Sequence, residues 1–266
     1  MMDTLTQEGW LPLLETRLLG RGENRCLDST DSTNIQARRM ALAGAPHGSL
    51  CLSETQSAGK GRLGRSWESP AGKGLWLSVI IRPRLKPEQA PLVTLCAAIA
   101  MARSVREAAG LEARIKWPND LIYAGRKLCG ILLEIGATVE EINYIIVGTG
   151  LNVYEGAYSP ELKDRAAAIA EFTEPPERRR LLVSYLAALE DVLDRLETQG
   201  FRGIEEEYAA LSCTIGSDVN VIGAQQFTGR AEAIDETGAL LVRTGEGELC
   251  RVLAGDVSVR GVMGYV

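Results

Sequence analysis

The sequence predicts an α+β protein in two parts: intermixed strands and helices up to about residue 212, then a small all-β domain over residues 213–266. The first part alternates amphipathic runs of helical period with short β-branched runs, which is the pattern of mixed α and β structure. The second part holds five short strand-like runs separated only by turn residues, which is typical of a small closed barrel. These runs are residues 219–222, 227–234, 239–243, 249–253 and 257–260.

The first elements are predicted from leucine spacing and from helix-capping residues. Residues 1–25 are expected to form an N-terminal extension that is too short for a domain of its own. Within it, the spacing of Leu11, Leu14 and Leu18 predicts a short amphipathic helix. A dense run of Ser, Thr, Asp and Asn then predicts the start of a second helix, over residues 34–43.

The remaining elements follow from apolar periodicity and from the glycines and prolines that end each run. The predicted strands are a short one at Cys26, then residues 49–54, 74–82, 113–117, 121–123, 127–135 and 144–147. The predicted helices are residues 87–110, 177–199 and 204–211. Two of the strands form a hairpin across Ala124-Gly125. The last strand of this part is expected to end where the glycine-containing segment 148–153 begins.

Composition and charge argue against several classes of protein. The chain is 45% hydrophobic, with a net charge of -6 and a pI of about 5.1, which argues against a nucleic-acid-binding protein. The N-terminus lacks a secretory signal, and the longest apolar run is too short for a membrane span. Six scattered cysteines without a C-x-x-C pair indicate buried free thiols and a cytoplasmic protein. The single histidine, His47, excludes a multi-histidine metal site.

Two segments predict chemistry, and the first is a glycine-rich loop over residues 54–67. It alternates glycines with cations and ends on a tryptophan; the residues are Gly59, Lys60, Gly61, Arg62, Gly64, Arg65 and Trp67. Glycines let the backbone bend around a ligand so that N–H groups converge on an anion, and the cations supply charge for a phosphate. The second segment, Lys116-Trp-Pro-Asn-Asp120, presents a lysine at a strand end. Together they predict a site that activates a carboxylate with a nucleotide.

Five segments, in matching order and spacing, carry a family resemblance. They are Ser32-Thr-Asn34, residues 54–67, residues 116–120, residues 126–132 and residues 148–152. Through them the chain resembles the biotin–protein ligases over nearly its whole length. The resemblance implies a mixed β-sheet with flanking helices over residues 26–212, a fold related to the lipoate ligases, followed by a small SH3-like β-barrel.

The resemblance also implies a two-step reaction. The carboxylate of biotin attacks the α-phosphate of ATP, giving biotinyl-5′-AMP and pyrophosphate. A lysine amine on a biotin carboxyl carrier protein domain then attacks this mixed anhydride and releases AMP. Mg²⁺ is expected to accompany ATP, with no protein ligands named, because the sequence offers no clear carboxylate cage.

Site residues are carried over from the same resemblance. Those expected to bind biotin are Ser32, Thr33, Asn34, Gln56, Lys60, Gly61, Arg62, Lys116, Gly148 and Gly150. Those expected to bind ATP are Arg65, Trp67, Lys127 and Asn152. Lys116 and Arg62 are expected to be catalytic, Lys116 by neutralising the reacting carboxylate and α-phosphate. Residues 60–62 are expected to be mobile without ligand and to close over the adenylate.

Structural alternatives remain open for some of these residues. Ser32 and Thr33 could serve only as a helix cap, and Gly148 and Gly150 could form an ordinary turn. Trp67 could pack in the core instead of stacking on adenine, and Trp117 is assigned to the core.

Three alternative functions fit the same motifs less well. A lipoate–protein ligase would share the fold but lacks the pairing of the glycine-rich loop with Lys-Trp-Pro-Asn-Asp. A non-catalytic biotin sensor would not need the phosphate cations. DNA binding and membrane association are not expected, because only about 25 residues precede the catalytic domain and the chain is acidic. A homodimer is compatible with the sequence.

Overall fold

The computed structural model of this chain describes residue 3 and residues 5–223, 226–254 and 258–261. This described part contains two β-sheets and five α-helices. The larger sheet consists of β1 (Asn24–Leu27), β2 (Leu50–Ser53), β3 (Gly74–Ile81), β4 (Arg114–Lys116), β5 (Asp120–Tyr123), β6 (Arg126–Ala137) and β7 (Ile142–Asn152). The helices are α1 (Gln7–Trp10), α2 (Thr33–Leu42), α3 (Leu92–Ala109), α4 (Arg178–Gln199) and α5 (Arg202–Leu211).

The larger sheet is mixed, as predicted. Its strands lie in the order β1-β2-β3-β7-β6-β5-β4. β1 pairs with β2 in parallel, and every other neighbouring pair is antiparallel. Strands β5 and β6 form the predicted hairpin, with Ala124 and Gly125 in the left-handed region at its turn.

Helices cover both faces of this sheet, so its central strands are buried on both sides. α3 and α4 pack on one face within a continuous apolar core, whereas α2 packs on the other through Ala37 and Met40. All eight residues of β3 are buried, with Val79 and Ile81 in the first core and Ile80 in the second. This alternation follows from the two-residue repeat of a strand. The packing of α2 fixes where its N-terminus lies relative to β3 and β7.

The smaller sheet consists of β8 (Asp218–Ile222), β9 (Phe227–Ile234), β10 (Leu240–Thr244), β11 (Leu249–Val252) and β12 (Ser258–Gly261). Its strands are antiparallel and lie in the order β11-β10-β9-β8-β12. The prediction of a small all-β domain in this part of the chain is confirmed.

Trp117 joins the small sheet to the edge strand β4 of the large one. Its backbone N–H donates to Thr214 Oγ1 at 2.9 Å, and its indole Nε1 donates to the carbonyl of Gly238 at 3.1 Å. Only 1% of the residue is exposed. The assignment of Trp117 to the core is therefore confirmed, and both of its polar groups are satisfied by the C-terminal region.

The N-terminal segment differs from its prediction. Its helix α1 is four residues long and passes at Leu11 into a single 3₁₀ turn, because Pro12 lacks the N–H that would continue an α-helix. The chain beyond is held by Glu190 of α4, whose carboxylate accepts the N–H groups of residues 17, 18 and 19 at 2.7, 2.8 and 3.0 Å. Leu18 is 52% exposed, so the predicted amphipathic face does not exist. Trp10 and Leu14 nevertheless pack in the main core.

Helix α3 begins later than predicted. Residues Pro87–Gln89 form a 3₁₀ turn, and Pro91 stands at the N-cap of α3. Its predicted end is correct: Gly110 is the C-cap, in the left-handed region at φ +68°.

The six cysteines are free, but only Cys51, Cys96 and Cys129 are buried. Burial raises the pKa of Cys51 to about 12, so this thiol stays protonated and unreactive. Within the described residues, none of the helices combines the length and apolar character needed to cross a bilayer.

Candidate active site

An open cleft lies where the N-terminus of α2, the glycine-rich loop and strands β6 and β7 meet. The lining residues are Ser32, Thr33, Asn34, Gln56, Lys60, Gly61, Arg62, Trp67, Asn119, Lys127, Gly130, Ile131, Leu132, Gly148, Thr149 and Gly150. Most of the residues predicted to bind ligand are therefore brought together.

One end of the cleft is polar and uncharged, and it is built on the first turn of α2. Ser32 is the N-cap residue, but its side chain makes no cap hydrogen bond. Its backbone N–H instead donates to the carboxylate of Asp31 at 2.7 Å. The plain helix-cap interpretation of the Ser32 hydroxyl is thus wrong, and Ser32 is one of the residues that line the cleft.

Gln56 connects the α2 N-terminus to the glycine-rich loop. Its Oε1 accepts the backbone N–H of Thr33 at 2.8 Å and lies 3.1 Å from the Thr33 hydroxyl. Its Nε2 donates to Ser69 Oγ, at the exit of the loop, at 2.7 Å. These contacts fix the amide of Gln56 and, with it, the position of Thr33.

Gly148 allows Asn34 to lie against the sheet. A Cβ atom at this glycine would come within 1.9 Å of Asn34 Oδ1. The segment 148–152 continues β7, which pairs with both β3 and β6, so the prediction that the strand ends at residue 147 is wrong, and so is the turn alternative. Close approach of the neighbouring side chain, and not a turn, is the reason for glycine at this position.

Trp67 lies over a pair of glycines in the same sheet. Gly130 and Gly150 are direct partners on β6 and β7. A Cβ atom on Gly150 would lie 2.5 Å from Trp67 Nε1, and one on Gly130 would lie 2.9 Å from the far edge of the ring. Trp67 also meets Trp76 edge-on, with ring centroids 6.5 Å apart. The indole therefore both lines the cleft and packs against the protein.

Cations also line the cleft. Lys127 Nζ lies 2.6 Å from Asp120 Oδ1 and 5.1 Å from the centre of the Trp67 ring. Lys60 Nζ lies 3.8 Å from Glu134 Oε1, and the Lys60 side chain is 45% exposed. Two ammonium groups thus line one cleft, each near a single carboxylate.

Arg62 contacts both the Lys-Trp-Pro-Asn-Asp motif and the C-terminal region. Its Nη1 donates to Asn119 Oδ1 at 3.0 Å, and its Nη2 donates to the carbonyl of Ala254. Burial lowers the pKa of Arg62, while the charge of Asp120 acts in the opposite direction. An arginine starts so high that it remains a cation at neutral pH. Next to it, Leu63 turns the loop in the left-handed region at φ +56°.

Three of the predicted site residues do not line the cleft. Asn152 is buried at the end of β7, where its Nδ2 donates to the carbonyl of Ala167 at 3.0 Å. Arg65 is exposed on the loop, and its carbonyl accepts the N–H of Gly61 at 2.7 Å.

Lys116, predicted to be catalytic, is the third. It ends the edge strand β4, two strands away from β6, and is 7% exposed. The carbonyl of the neighbouring Ile115 accepts the N–H of Cys213 at 2.9 Å, so this end of β4 lies against the C-terminal region. Of Lys116 and Lys127, Lys127 lines the cleft.

Comparison with known proteins agrees with this geometry. Residues 25–152 match the model of the Biotin/lipoate A/B protein ligase family, and residues 214–260 match that of the biotin protein ligase C terminal domain. The biotin–[acetyl-CoA-carboxylase] ligase of Mycobacterium tuberculosis is 34% identical over 256 residues, covering 92% of this chain and 93% of that protein. The chain belongs to the biotin–protein ligases. It is thus an enzyme that biotinylates a carrier protein by way of biotinyl-AMP.

Two further known proteins are similar to this chain. The bifunctional ligase/repressor BirA of Bacillus subtilis is 34% identical over 236 residues, which cover 87% of this chain and 72% of that protein. The solved structure of the biotin protein ligase from Aquifex aeolicus in complex with biotin and ATP superposes with a TM-score of 0.77. It is 27% identical and covers 90% of this chain and 99% of that one.

Sequence reasoning missed several residues that line the cleft of this biotin–protein ligase. They are Asn119, Gly130, Ile131, Leu132 and Thr149. Each lies inside a segment that carried the family resemblance, so the motifs marked the right stretches of chain. What the sequence lacked was the pairing of β6 with β7, which decides which members of each motif face the cleft.

Proposed function

We propose that this cleft holds the ring of biotin against the first turn of α2 and the reacting carboxylate and α-phosphate near Arg62 and Lys127. The observation that carries the proposal is the placement of Lys60, Arg62 and Lys127 around one cleft that Thr33 and Asn34 also line. A buried ring with a polar edge needs matched donors and acceptors, and a carboxylate that meets a phosphate needs cations.

In the first step a carboxylate oxygen of biotin forms a bond to the α-phosphorus of ATP, and the bond to pyrophosphate breaks. Lys127 is placed to reduce the repulsion between these two anions and to hold them together. Its own position is fixed by Asp120 at 2.6 Å. Because Lys127 is partly buried, with 21% of its side chain exposed, its charge is less screened than that of a surface lysine.

The glycine-rich loop shields the product of this step. Arg62 joins the loop to Asn119 on one side and to Ala254 on the other. These contacts hold the loop over the cleft and would exclude water from the mixed anhydride. The small C-terminal domain therefore contributes to closing the site.

At the nucleotide end, Trp67 offers an aromatic surface beside Lys127. Arg65 and Asn152 remain proposals for ATP binding, the first as an exposed cation on the loop and the second beside the end of β7. No group of three His, Cys, Asp or Glu side chains among the described residues could hold a metal ion. Mg²⁺ is proposed to accompany ATP, bound mainly by phosphate oxygens and water.

In the second step the amine of a carrier-domain lysine attacks the carbonyl carbon of the adenylate. An amide forms, AMP leaves, and the amine loses its proton. The acceptor in this proposal is a biotin carboxyl carrier protein domain, with no role for nucleic acid.

Replacing Arg62 with glycine tests the loop. The Arg62→Gly variant is expected to form biotinyl-AMP but to release it, so that bystander proteins are biotinylated along with the carrier domain. The measurement is the lifetime of the enzyme-bound adenylate and the ratio of carrier to bystander labelling.

Equal retention by Arg62→Gly and the wild-type protein would exclude a closing role for Arg62.

A further inference from the structure

Two side chains behind the polar end of the cleft contact Asn34 but are not among the described residues that line the cleft. Glu134 Oε1, on β6, lies 3.2 Å from Asn34 Nδ2. Ser78 Oγ, on β3, lies 2.7 Å from Asn34 Oδ1. Asn34 is only 4% exposed and Ser78 is fully buried. Ser78 can therefore act on a bound ring only through its neighbours, whereas Glu134 contacts both Asn34 and Lys60.

Glu134 determines which way the Asn34 amide faces. An ionised carboxylate accepts hydrogen bonds and cannot donate one, so only the NH₂ group of Asn34 can favourably face Glu134. The opposite orientation would place two acceptor oxygens against each other inside the protein, which costs the desolvation of both. One hydrogen of the NH₂ group is used by Glu134, and the second is left for the cleft.

The orientation of Asn34 then determines the hydroxyl hydrogens next to it. Asn34 Oδ1 has to be met by the single hydrogen of Ser78. Ser78 Oγ also lies 2.8 Å from Thr33 Oγ1. The Thr33 hydroxyl donates to Gln56 Oε1 at 3.1 Å, and the same oxygen accepts the backbone N–H of Thr33 at 2.8 Å. The Thr33 hydrogen thus points into the protein, and its oxygen is left as an acceptor.

We propose that Glu134 is a positioning residue that sets the hydrogen-bond polarity of the polar end, with Asn34 as a donor and Thr33 as an acceptor. Such a fixed pair matches the carbonyl and the N–H groups of a cyclic urea. It disfavours a ring of the same shape in which an N–H donor replaces the carbonyl oxygen. The buried N–H donor of Asn34 would then face another donor and lose its hydrogen bond. The inference rests on the proposed function, since it takes biotin as the ligand of this cleft.

The test compares biotin with 2-iminobiotin, a cyclic guanidine whose protonated form has N–H donors where biotin has its carbonyl oxygen. Dissociation constants of both are measured calorimetrically on the full-length protein, without ATP. Glu134→Gln replaces the carboxylate with an amide that can donate or accept, so Asn34 is no longer held in one orientation. Biotin should bind about tenfold more weakly, the effect of one lost buried hydrogen bond, and the preference for biotin over iminobiotin should fall by a similar factor.

Two further variants separate this effect from others. Ser78→Ala breaks the link between Asn34 and Thr33 and should lower the same preference. Glu140→Gln removes an exposed carboxylate in the β6–β7 turn and should change neither ligand's affinity. Thermal unfolding of each variant shows whether it folds. If Glu134→Gln does not fold, the preference for biotin over iminobiotin is measured in Ser78→Ala instead.

A Glu134→Gln variant that binds more weakly but keeps the wild-type preference would overturn the inference, because general loosening of the site affects both rings alike. Failure of the wild-type protein to bind biotin would instead overturn the proposed function, and the inference with it.

Discussion

Replacing Lys127 with methionine is expected to lower the rate of biotinyl-AMP formation about a hundred- to a thousandfold, the usual effect of removing one charge-stabilising group from a closed site. The reason is geometric: of Lys127 and Lys116, only Lys127 lines the cleft. Methionine keeps most of the length of the side chain, so the contact with Trp67 is largely retained. The measurement is the single-turnover rate of adenylate formation at saturating biotin and ATP.

Lys116→Met is the matched comparison, since it removes the same charge from a buried lysine outside the cleft. We expect it to lower the thermal stability of the protein, because a buried cation with its partners is disturbed, while the adenylation rate of the folded fraction changes much less. The reverse result, in which a folded Lys116→Met variant loses adenylation and Lys127→Met keeps it, would return the catalytic role to Lys116.

Replacing Gly148 with alanine is expected to raise the dissociation constant for biotin by at least about tenfold. The added methyl group would come within 1.9 Å of Asn34 Oδ1, so Asn34 has to leave its place. Overpacking of this kind costs about 1–3 kcal/mol, and here the displaced group also lines the cleft. Biotin affinity in the absence of ATP is the quantity to measure.

Gly245→Ala provides the control, because a Cβ atom at Gly245 would have no neighbour within 4 Å. It should leave biotin affinity and thermal stability unchanged. Wild-type affinity in a folded Gly148→Ala variant would show that Asn34 is not needed in its present position, and the assignment of the polar end to the biotin ring would fail.

The comparison of Lys116 with Lys127 shows that a sequence motif can locate a site without determining which side chains enter it. Two residues of the Lys116-Trp-Pro-Asn-Asp120 segment lie at the cleft, since Asn119 lines it and Asp120 contacts Lys127. Which lysine enters the cleft depends on the folding of β4, β5 and β6 into one antiparallel meander. That pairing places Lys127 next to Trp67 and leaves Lys116 on the outer strand.

Gly148 shows that a glycine in the sequence does not by itself determine the local backbone structure. A glycine at position 148 is compatible with a turn when only the sequence is known, and a turn was a reasonable expectation. The structure shows a strand, in which the missing side chain makes room for Asn34, a residue more than a hundred positions away. Contacts of such long range leave no local pattern, whereas capping and periodicity do, which is why Gly110 was correctly predicted to end α3.

The N-terminal segment was predicted least well, for a comparable reason. Leucine spacing suggested a helix, but Pro12 and the carboxylate of Glu190 decide the backbone conformation instead. Glu190 lies on α4 and meets this segment only in the folded protein.

The release of pyrophosphate by the purified protein tests most directly whether this cleft activates biotin with ATP. Biotin and lipoate are compared side by side with ATP and Mg²⁺, and bound biotinyl-AMP is recovered after acid quench. We predict one burst of pyrophosphate per active site with biotin and none with lipoate. Pyrophosphate release with lipoate, or biotin binding without any adenylate, would contradict the account.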